Sequence, residues 1–234
     1  MRLNGVHHVT CITGDAPANV NFYAGTLGLR LVKKTVNQDD PTVYHLFYAD
    51  ENGSAGADIT FFEYPGAASG RAGTGMVHTV VWRVGSAEAL DFWAERLGVE
   101  RDGDRFETRG DSRGGWIEYG PAPAERGIPG AGTVHHVAWA STMEDEEAWQ
   151  KRVAEAGGRP TPIIDRFWFL SIYFREPSGV LFEIATLGPG FAADEDPEHL
   201  GETLVLPPAF EHLRAQVEPI LTPLPNPREA WTRT

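Results

Sequence analysis

The chain lacks the features of several common protein classes. It contains a single cysteine, Cys11, so it can form no internal disulfide, and a reducing compartment is expected. No apolar run approaches the roughly 18 residues that cross a membrane, and no signal-peptide pattern opens the sequence. Lysine and arginine together number 20 against 33 acidic residues, a net charge of −13, which argues against a nucleic-acid surface. These features predict a cytoplasmic protein that binds neither nucleic acid nor membrane.

A short phrase containing adjacent histidines recurs along the 234 residues. It reads Gly-Val-His-His-Val-Thr at 5–10 and Gly-Thr-Val-His-His-Val-Ala-Trp at 132–139. A third version at 75–82, Gly-Met-Val-His-Thr-Val-Val-Trp, keeps the first histidine as His78 and replaces the second with Thr79. The repetition indicates copies of one structural unit, each with a histidine at the same point of its first strand.

Each full copy has the pattern of a strand, a helix and then three strands. In the first copy we expect strands at 6–12, 29–36, 44–48 and 59–64, with a helix that Asp15 or Gly14 caps and that ends at Leu27-Gly28. In the later copy we expect strands at 133–140, 162–166, 168–174 and 180–186, and a helix at 144–156. The middle copy is compressed, with a helix near 86–97 and short strands up to Tyr119.

This pattern predicts an α+β fold of βαβββ modules. The module boundaries are 1–66 for module one, 75–120 for the shortened module and 132–190 for the last module. Residues 191–234 form a C-terminal extension that packs on the body and contains one amphipathic helix candidate at 208–220. The first and last modules would pair into a cup-shaped sheet, whose concave face suits a ligand.

Strand alternation brings together candidate metal ligands. His8 and His136 take equivalent positions in two related strands, and Glu183 interrupts the apolar run 180–185. A carboxylate within such a strand is costly to bury unless it is paired or binds a metal. Two histidines and one carboxylate leave coordination positions open, a geometry that favours non-haem Fe(II) and oxygen activation.

Other polar residues have alternative interpretations. Alternation turns His7 and His135 away from the metal, into the sheet interface, unless a twist or bulge at the strand start brings one into the pocket as a proton shuttle. Arg166 and Tyr173 lie among aromatic residues that could wall a cavity, where they could hold a phenolate or an oxyanion. Equally, Arg166 could pair on the surface, with Asp165 or Glu176 as partner, and Tyr173 could belong to the core.

The remaining histidines and one further glutamate complete the candidates. His78 aligns with the first histidine of each pair, so it is interpreted as structural, and the middle module as free of metal. No role is predicted for three isolated histidines: His45, His199 and His212. Glu63 is the nearest carboxylate for a fourth ligand, but it lies too near its turn to match Glu183, which favours three ligands.

Longer motifs resemble a known superfamily. Residues 7–10, 29–37, 172–177 and 182–186, the last run followed by Gly-Pro-Gly-Phe, resemble the vicinal oxygen chelate superfamily and within it the hydroquinone-type ring-cleaving dioxygenases. The resemblance implies Fe(II), or another divalent metal such as Mn, Zn or Ni, held by the ligands His8, His136 and Glu183. It also implies the pocket residues His7, Thr10, His135, Arg166 and Tyr173.

The resemblance therefore predicts an Fe(II)-dependent extradiol-type dioxygenase that opens a hydroquinone- or catechol-like ring with O2. A glyoxalase-type isomerase or thiol transferase, or a small-molecule binding protein of the same fold, are the alternatives. Members of the family usually carry four modules, whereas this chain has two full modules and one shortened module. Pairing of middle modules in a homodimer would cover the face that the missing unit leaves.

Overall fold

Eight strands form one sheet in the computed structural model of this protein, which describes residues 3–54, 56, 58–82, 86–89, 91–92 and 124–230. The strands are β1 (Val6–Thr13), β2 (Arg30–Asn37), β3 (Asp40–Ala49), β4 (Asp58–Glu63), β5 (Val134–Ser141), β6 (Ile164–Asp165), β7 (Phe169–Arg175) and β8 (Leu181–Pro189). The α-helices with both ends among the described residues are α1 (Ala16–Val20), which continues as a π-helix over Asn21–Thr26, α2 (Glu146–Glu155) and α3 (Arg214–Val217). The α+β class predicted from the sequence is confirmed.

The strand order divides the sheet into two matching halves. From edge to edge the order is β2-β3-β4-β1-β5-β8-β7-β6, so each half has its first strand at the centre and its second at the edge. Strand β1 runs parallel to β4, and β5 runs parallel to β8. The two central strands, β1 and β5, run antiparallel to each other and join the halves into one curled sheet.

Local sequence signals explain the first helix. The Asp15 carboxylate accepts a hydrogen bond from the Ala18 N–H at 2.9 Å, and Pro17 lies in the first turn, where its missing N–H costs nothing. Gly28, at φ +70°, follows the π-helix and allows the left-handed turn that leads into β2. These features match the expected capping and termination of this helix.

Several boundaries differ from the sequence-based expectation. Strand β6 has only two residues where 162–166 was expected, and β3 begins four residues earlier than predicted. The helix candidate at 208–220 forms two 3₁₀ segments around the short α3 instead of one continuous helix. Pro219 accounts for the end of α3, because proline removes a backbone donor.

The C-terminal extension packs on both faces of the sheet. Leu206, Val217 and Leu221 join α1 in a hydrophobic core on the convex side of the first half. On the opposite face, Phe191 and Leu200 pack against alternate residues of the same strands. The extension is thereby part of the main body.

A buried ammonium group also ties the extension to the sheet. Lys33 of β2 is fully buried and its Nζ donates to the Phe191 carbonyl at 3.0 Å and to the carboxylates of Asp194 and Glu195. The Trp168 ring lies under this ammonium, 4.8 Å from Nζ. Such pairing satisfies a charge that would otherwise be costly to bury.

The middle of the chain is described in part. Residues 87–89 and 91–92 are helical, within the helix expected near 86–97, and the rest of that helix and the short strands up to Tyr119 lie outside the described residues. His78 and Thr79 are exposed, and the Nδ1 of His78 lies 2.8 Å from the Thr79 hydroxyl. Within the described ranges, no helix is long and apolar enough to cross a membrane.

Candidate metal centre

A bulge in β1 turns both histidines of the first pair to the concave face. Val6 lies opposite Trp139 of β5, whereas His8 lies opposite Ala138. Two residues of β1 therefore advance against one of β5, and His7 is the extra residue. Strict alternation, which would have directed His7 away from His8, does not hold at this point.

The second histidine pair also contains a β-bulge, at the other end of the pairing between β1 and β5. Thr10 lies opposite His136, and the next residue, Cys11, lies opposite Val134. His135 is thus the extra residue of a bulge in β5. The bulge that the sequence left as an open alternative is present in both strands.

Three side chains meet at the centre of the sheet. The Nε2 atoms of His8 and His136 lie 3.2 Å apart, and Glu183 Oε2 lies 3.2 Å from the first and 3.0 Å from the second. All three residues are buried, at 3% exposure or less. The structure therefore brings together the three residues proposed as ligands from the sequence.

The other oxygen of Glu183 is held by two hydroxyl groups. Ser171 Oγ donates to Oε1 at 2.5 Å, and Tyr173 OH donates to the same atom at 3.0 Å. Burial alone would raise the pKa of Glu183, but the neighbouring imidazoles of His8 and His136 hold it well below its usual range. Glu183 is consequently a carboxylate whose Oε2 is left to face the two imidazoles.

Hydrogen bonds through His7 orient the first of these imidazoles. The Nε2–H of His7 donates to the Thr186 carbonyl at 3.1 Å, so if the ring is neutral its Nδ1 accepts. This Nδ1 lies 3.0 Å from the Nδ1 of His8, which must then carry the proton. With a metal ion bound, His8 would then direct the lone pair of Nε2 to the ion, as a metal ligand requires.

The second pair repeats this contact. The Nδ1 atoms of His135 and His136 lie 2.8 Å apart. If His136 presents its Nε2 lone pair to the centre, its Nδ1–H donates to His135, which then carries its own proton on Nε2. Burial lowers the pKa of His136, and burial also lowers the pKa of His135, to about 4, so both rings are neutral at pH 7.

A cavity of about 320 Å³ opens over the three converging atoms. Arg166 and Tyr173 both line it, and the guanidinium carbon lies 5.4 Å from the centre of the tyrosine ring. Arg166 pairs with Asp39, at 3.2 and 2.9 Å, and with neither of the partners considered from the sequence. The other lining residues are mostly apolar or aromatic: Val36, Phe47, Phe62, Ile164, Trp168, Phe169 and Leu181, with Asn37, Gln38, His45, His135 and Thr161 among the polar ones.

The ionisation of these two cavity residues follows from their surroundings. Burial raises the pKa of Tyr173, and the Glu183 carboxylate adds to the rise, so the phenol keeps its proton. Burial opposes the charge on Arg166, but Tyr173 and Asp39 more than compensate and raise the pKa of the guanidinium. The cavity therefore contains a fixed positive charge beside a neutral hydroxyl donor.

The first half of the sheet has a threonine where the second half has its glutamate. Ala138 lies opposite Glu183, and Thr10, which takes the place of Ala138 in the first half, lies opposite Thr60. The Thr60 hydroxyl lies 2.7 Å from the Thr10 hydroxyl and 2.9 Å from His45 Nε2. Thr10 does not line the cavity itself and reaches it only through these hydrogen bonds.

His45 is a cavity residue that sequence reasoning missed. The sequence predicts no role for it, because it is an isolated histidine outside the repeated phrases. Alternation along β3 could have found it, because His45 shares a face with Phe47, and both line the cavity. Burial lowers the pKa of His45 well below its usual range, so its ring is neutral.

Glu63 lies away from the centre. Its Oε1 accepts from the Ala16 backbone N–H at 3.1 Å, at the start of α1, and from the Thr222 hydroxyl at 2.9 Å. This arrangement is a helix cap shared with the C-terminal extension. The expectation that Glu63 is not a fourth ligand agrees with this position.

The three converging residues fit a divalent metal ion. Ligand atoms about 2.1 Å from one ion and at right angles to each other lie ~3 Å apart, close to the separations among these three atoms. Glu183 Oε2 is buried and makes no hydrogen bond of good geometry, although it faces two ring nitrogens. Two imidazoles and one carboxylate suit iron, manganese, zinc or nickel.

The fold and this centre define a class of protein. Two βαβββ halves that join through their first strands, with a donor set at the junction, form the curled sheet of the vicinal oxygen chelate fold. The model of the Glyoxalase/Bleomycin resistance protein/Dioxygenase superfamily matches residues 5–97 and 75–184. The chain belongs to this superfamily.

Several relatives have names that refer to ring cleavage. The chain is 33% identical over 315 positions to "Putative ring-cleaving dioxygenase MhqA" of Bacillus subtilis (strain 168), covering 96% of this chain and 100% of the relative. It is 36% identical to the similarly named MhqO of the same organism, covering 94% and 96%. It is 29% identical to the chlorohydroquinone/hydroquinone 1,2-dioxygenase of Sphingobium indicum, covering 92% and 95%.

A solved structure also matches over nearly the whole chain. The crystal structure of a protein described as a putative dioxygenase from Bacillus subtilis superimposes with a TM-score of 0.81 at 34% identity, covering 96% of this chain and 98% of that one. The alignment with MhqA spans 315 positions, whereas 96% of this chain is about 225 residues, so about 90 positions have no counterpart in this chain.

Proposed function

We propose that this protein is an Fe(II)-dependent extradiol-type dioxygenase that opens a hydroquinone- or catechol-like aromatic ring with O2. One observation carries the proposal: two imidazole nitrogens and a carboxylate oxygen converge at the base of an aromatic-walled cavity of about 320 Å³. This donor set leaves coordination positions open. A cavity of this size suits a single-ring ligand, and the relatives named as ring-cleaving dioxygenases support the reaction class.

The residue at the fourth position favours a dioxygenase over a glyoxalase-type isomerase. An isomerase on this scaffold would take a fourth protein ligand from the last strand of the first half. Thr60 has that position, and its hydroxyl is already engaged by Thr10 and His45. A neutral hydroxyl with two hydrogen bonds is a poor substitute for a carboxylate ligand, so substrate and O2 would have access to the open positions.

Arg166 and Tyr173 would bind and orient the aromatic substrate. The guanidinium is fixed by its bidentate contact with Asp39, so it can place its charge beside a phenolate oxygen without losing further side-chain freedom. The Tyr173 hydroxyl remains protonated and can donate to the substrate or to Glu183. Together these groups would stabilise negative charge that develops on the substrate.

The first histidine of each pair would act through its neighbour or on the substrate. His7, bonded to Thr186, fixes the tautomer of His8 and so acts as a positioning residue. His135 lines the cavity and directs its Nδ1 to His136, which leaves its Nε2–H as a proton donor near the substrate. Thr10 would stabilise the cavity wall through its hydrogen bond with the Thr60 hydroxyl.

A bound Fe(II) ion would supply the one-electron chemistry that lets O2 react with an aromatic ring. The ligands proposed are His8, His136 and Glu183, with Mn, Zn or Ni as other metals that this donor set accepts. The Fe(II) state and the single buried cysteine both suit a reducing compartment, so we propose the cytoplasm.

The test is anaerobic reconstitution with Fe(II), followed by O2 uptake with a panel of hydroquinones and catechols. We expect about one iron per chain and stoichiometric O2 uptake with at least one diol. Iron bound without any O2 uptake would support the isomerase or the binding protein instead. A His136→Ala variant should lose tight iron binding, because it removes one of three donors.

His78→Ala is the matched control for His136→Ala. His78 is an exposed histidine in the third version of the same phrase, with its Nδ1 against Thr79. Its replacement should leave iron content and O2 uptake unchanged. Tight iron binding that survives in His136→Ala would refute the proposed ligand set.

A further inference from the structure

The cavity has a further polar group on the part of its wall that β3 forms. His45 of β3 lines the cavity, and in the described part of the chain its Nε2 has one partner, the Thr60 hydroxyl at 2.9 Å. No partner for its Nδ1 is found among the described residues. Since the ring is neutral, one of its nitrogens carries a proton and the other a lone pair.

One aromatic ring separates His45 from each candidate histidine ligand. Phe47 lies between His45 and His8, with centroid distances of 4.0 and 6.4 Å. Phe62 lies between His45 and His136, with centroid distances of 4.4 and 6.3 Å. Both phenyl rings line the cavity, and each has His45 as one ring neighbour and a candidate histidine ligand as another.

We infer that His45 is a specificity-determining residue that hydrogen-bonds the substrate hydroxyl lying across the ring from the metal. This inference rests on the proposed function, because it takes an aromatic diol as the ligand. A para-diol cannot bring both oxygens to one metal ion, so its second hydroxyl extends to the far side of the cavity. A hydroxyl both donates and accepts, so either tautomer of His45 can pair with it through Nδ1.

Thr60 gives His45 a fixed orientation. The hydroxyl pair of Thr60 and Thr10 is fully buried, so its hydrogen bond to Nε2 is shielded from water. The flanking rings of Phe47 and Phe62 restrict rotation of the imidazole. His45 therefore offers its remaining nitrogen at a defined place, and its loss would leave a substrate hydroxyl without a partner.

The experiment measures the preference for two hydroxyls over one. Binding of hydroquinone and of phenol to the Fe(II)-loaded protein is measured by calorimetry without O2, for the wild type and for His45→Phe. We expect the wild type to bind hydroquinone at least 10-fold more tightly than phenol. In His45→Phe this preference should fall to about 3-fold or less, while phenol binding and iron content remain as in the wild type.

Two further variants keep the test decisive. His212→Phe changes an exposed histidine far along the chain and should retain the full preference. His45→Gln, which keeps a hydrogen-bonding group, should retain part of it and decides the matter if His45→Phe does not fold. An unchanged preference in the folded His45 variants, or equal binding of both ligands by the wild type, would overturn the inference.

The proposed function is tested separately by O2 uptake of the wild type with hydroquinone. Absence of uptake with iron bound would reject the dioxygenase, whatever the binding preference. Uptake with an unchanged preference in His45→Phe would reject only the role of His45.

Discussion

A buried carboxyl group behind the sheet predicts how stability depends on pH. Glu146, the first residue of α2, is 1% exposed, and neither of its carboxyl oxygens makes a hydrogen bond of good geometry. Burial raises its pKa to about 7, and the nearby Ser141 hydroxyl offsets this only in part. The folded protein therefore binds a proton here that the unfolded chain releases at lower pH.

The sign and size of the effect follow from this shift. Below pH 4.5 the carboxyl is protonated in both the folded and the unfolded protein, so its ionisation does not reduce the free energy of unfolding. Between pH 4.5 and about 7 the unfolded chain loses this proton first, so the free energy of unfolding falls as the pH rises. A difference of about 2.5 pKa units corresponds to at most ~3 kcal/mol, because each unit is worth about 1.4 kcal/mol. We expect about 1 to 2 kcal/mol, since partial rearrangement toward water and toward Ser141 reduces the cost of ionisation.

The assay compares urea unfolding of the wild type and Glu146→Gln between pH 5 and pH 8. The advantage of the variant should be smallest at pH 5 and should grow by about 1 to 2 kcal/mol by pH 8, because an amide cannot ionise. Glu147→Gln is the control, since Glu147 is exposed in the same turn and no difference should develop. Parallel stability curves for wild type and Glu146→Gln over the whole range would refute the reasoning.

Three other predictions concern the centre and the middle module. Tyr173→Phe removes a hydrogen bond to Glu183, so metal affinity in a chelator competition should fall 10- to 100-fold. Unchanged affinity would show that this hydrogen bond does not support the metal site. Thr60→Glu would place a carboxylate at the fourth position, so the metal should be retained while O2 uptake is lost. The larger side chain should also lower stability by about 1–3 kcal/mol through overpacking. Full O2 uptake in this variant would refute the argument that an open coordination position is needed. The exposed Val81 and Trp82 support the proposed homodimer, so light scattering should give the mass of two chains, and the mass of one chain would reject it.

The ligand candidates were accessible from the sequence because they obey simple periodicity. A repeated phrase placed His8 and His136 at equivalent points, and Glu183 interrupted an apolar strand. Both signals are local, and the pairing of the two central strands then brings the residues together. No such local signal exists for the contact of Arg166 with Asp39, whose loops are 127 residues apart in the chain.

The bulges and His45 show why the rest of the site could not be derived in the same way. A bulge depends on the partner strand, so alternation within one strand directs both His7 and His135 away from the metal, and only the pairing of β1 with β5 shows the two bulges. The role of Thr60 likewise depends on register, since its correspondence to Glu183 is visible only once β1 and β4 are paired. His45 then becomes notable because it bonds that threonine.

The two bulges give a physical reason for the doubled histidine. A ligand imidazole must keep its Nε2 lone pair free, which requires a proton on Nδ1 and an acceptor for that proton. In most strands the preceding residue points to the opposite face and cannot be this acceptor, but a bulge places adjacent residues on the same side. His7 and His135 thus contact the rings of their sequence neighbours, the candidate ligands His8 and His136, at 3.0 and 2.8 Å. In the middle module His78 makes a similar contact with Thr79, but with a hydroxyl that offers no ring nitrogen, so the phrase persists there without the pair of imidazoles that the centre requires.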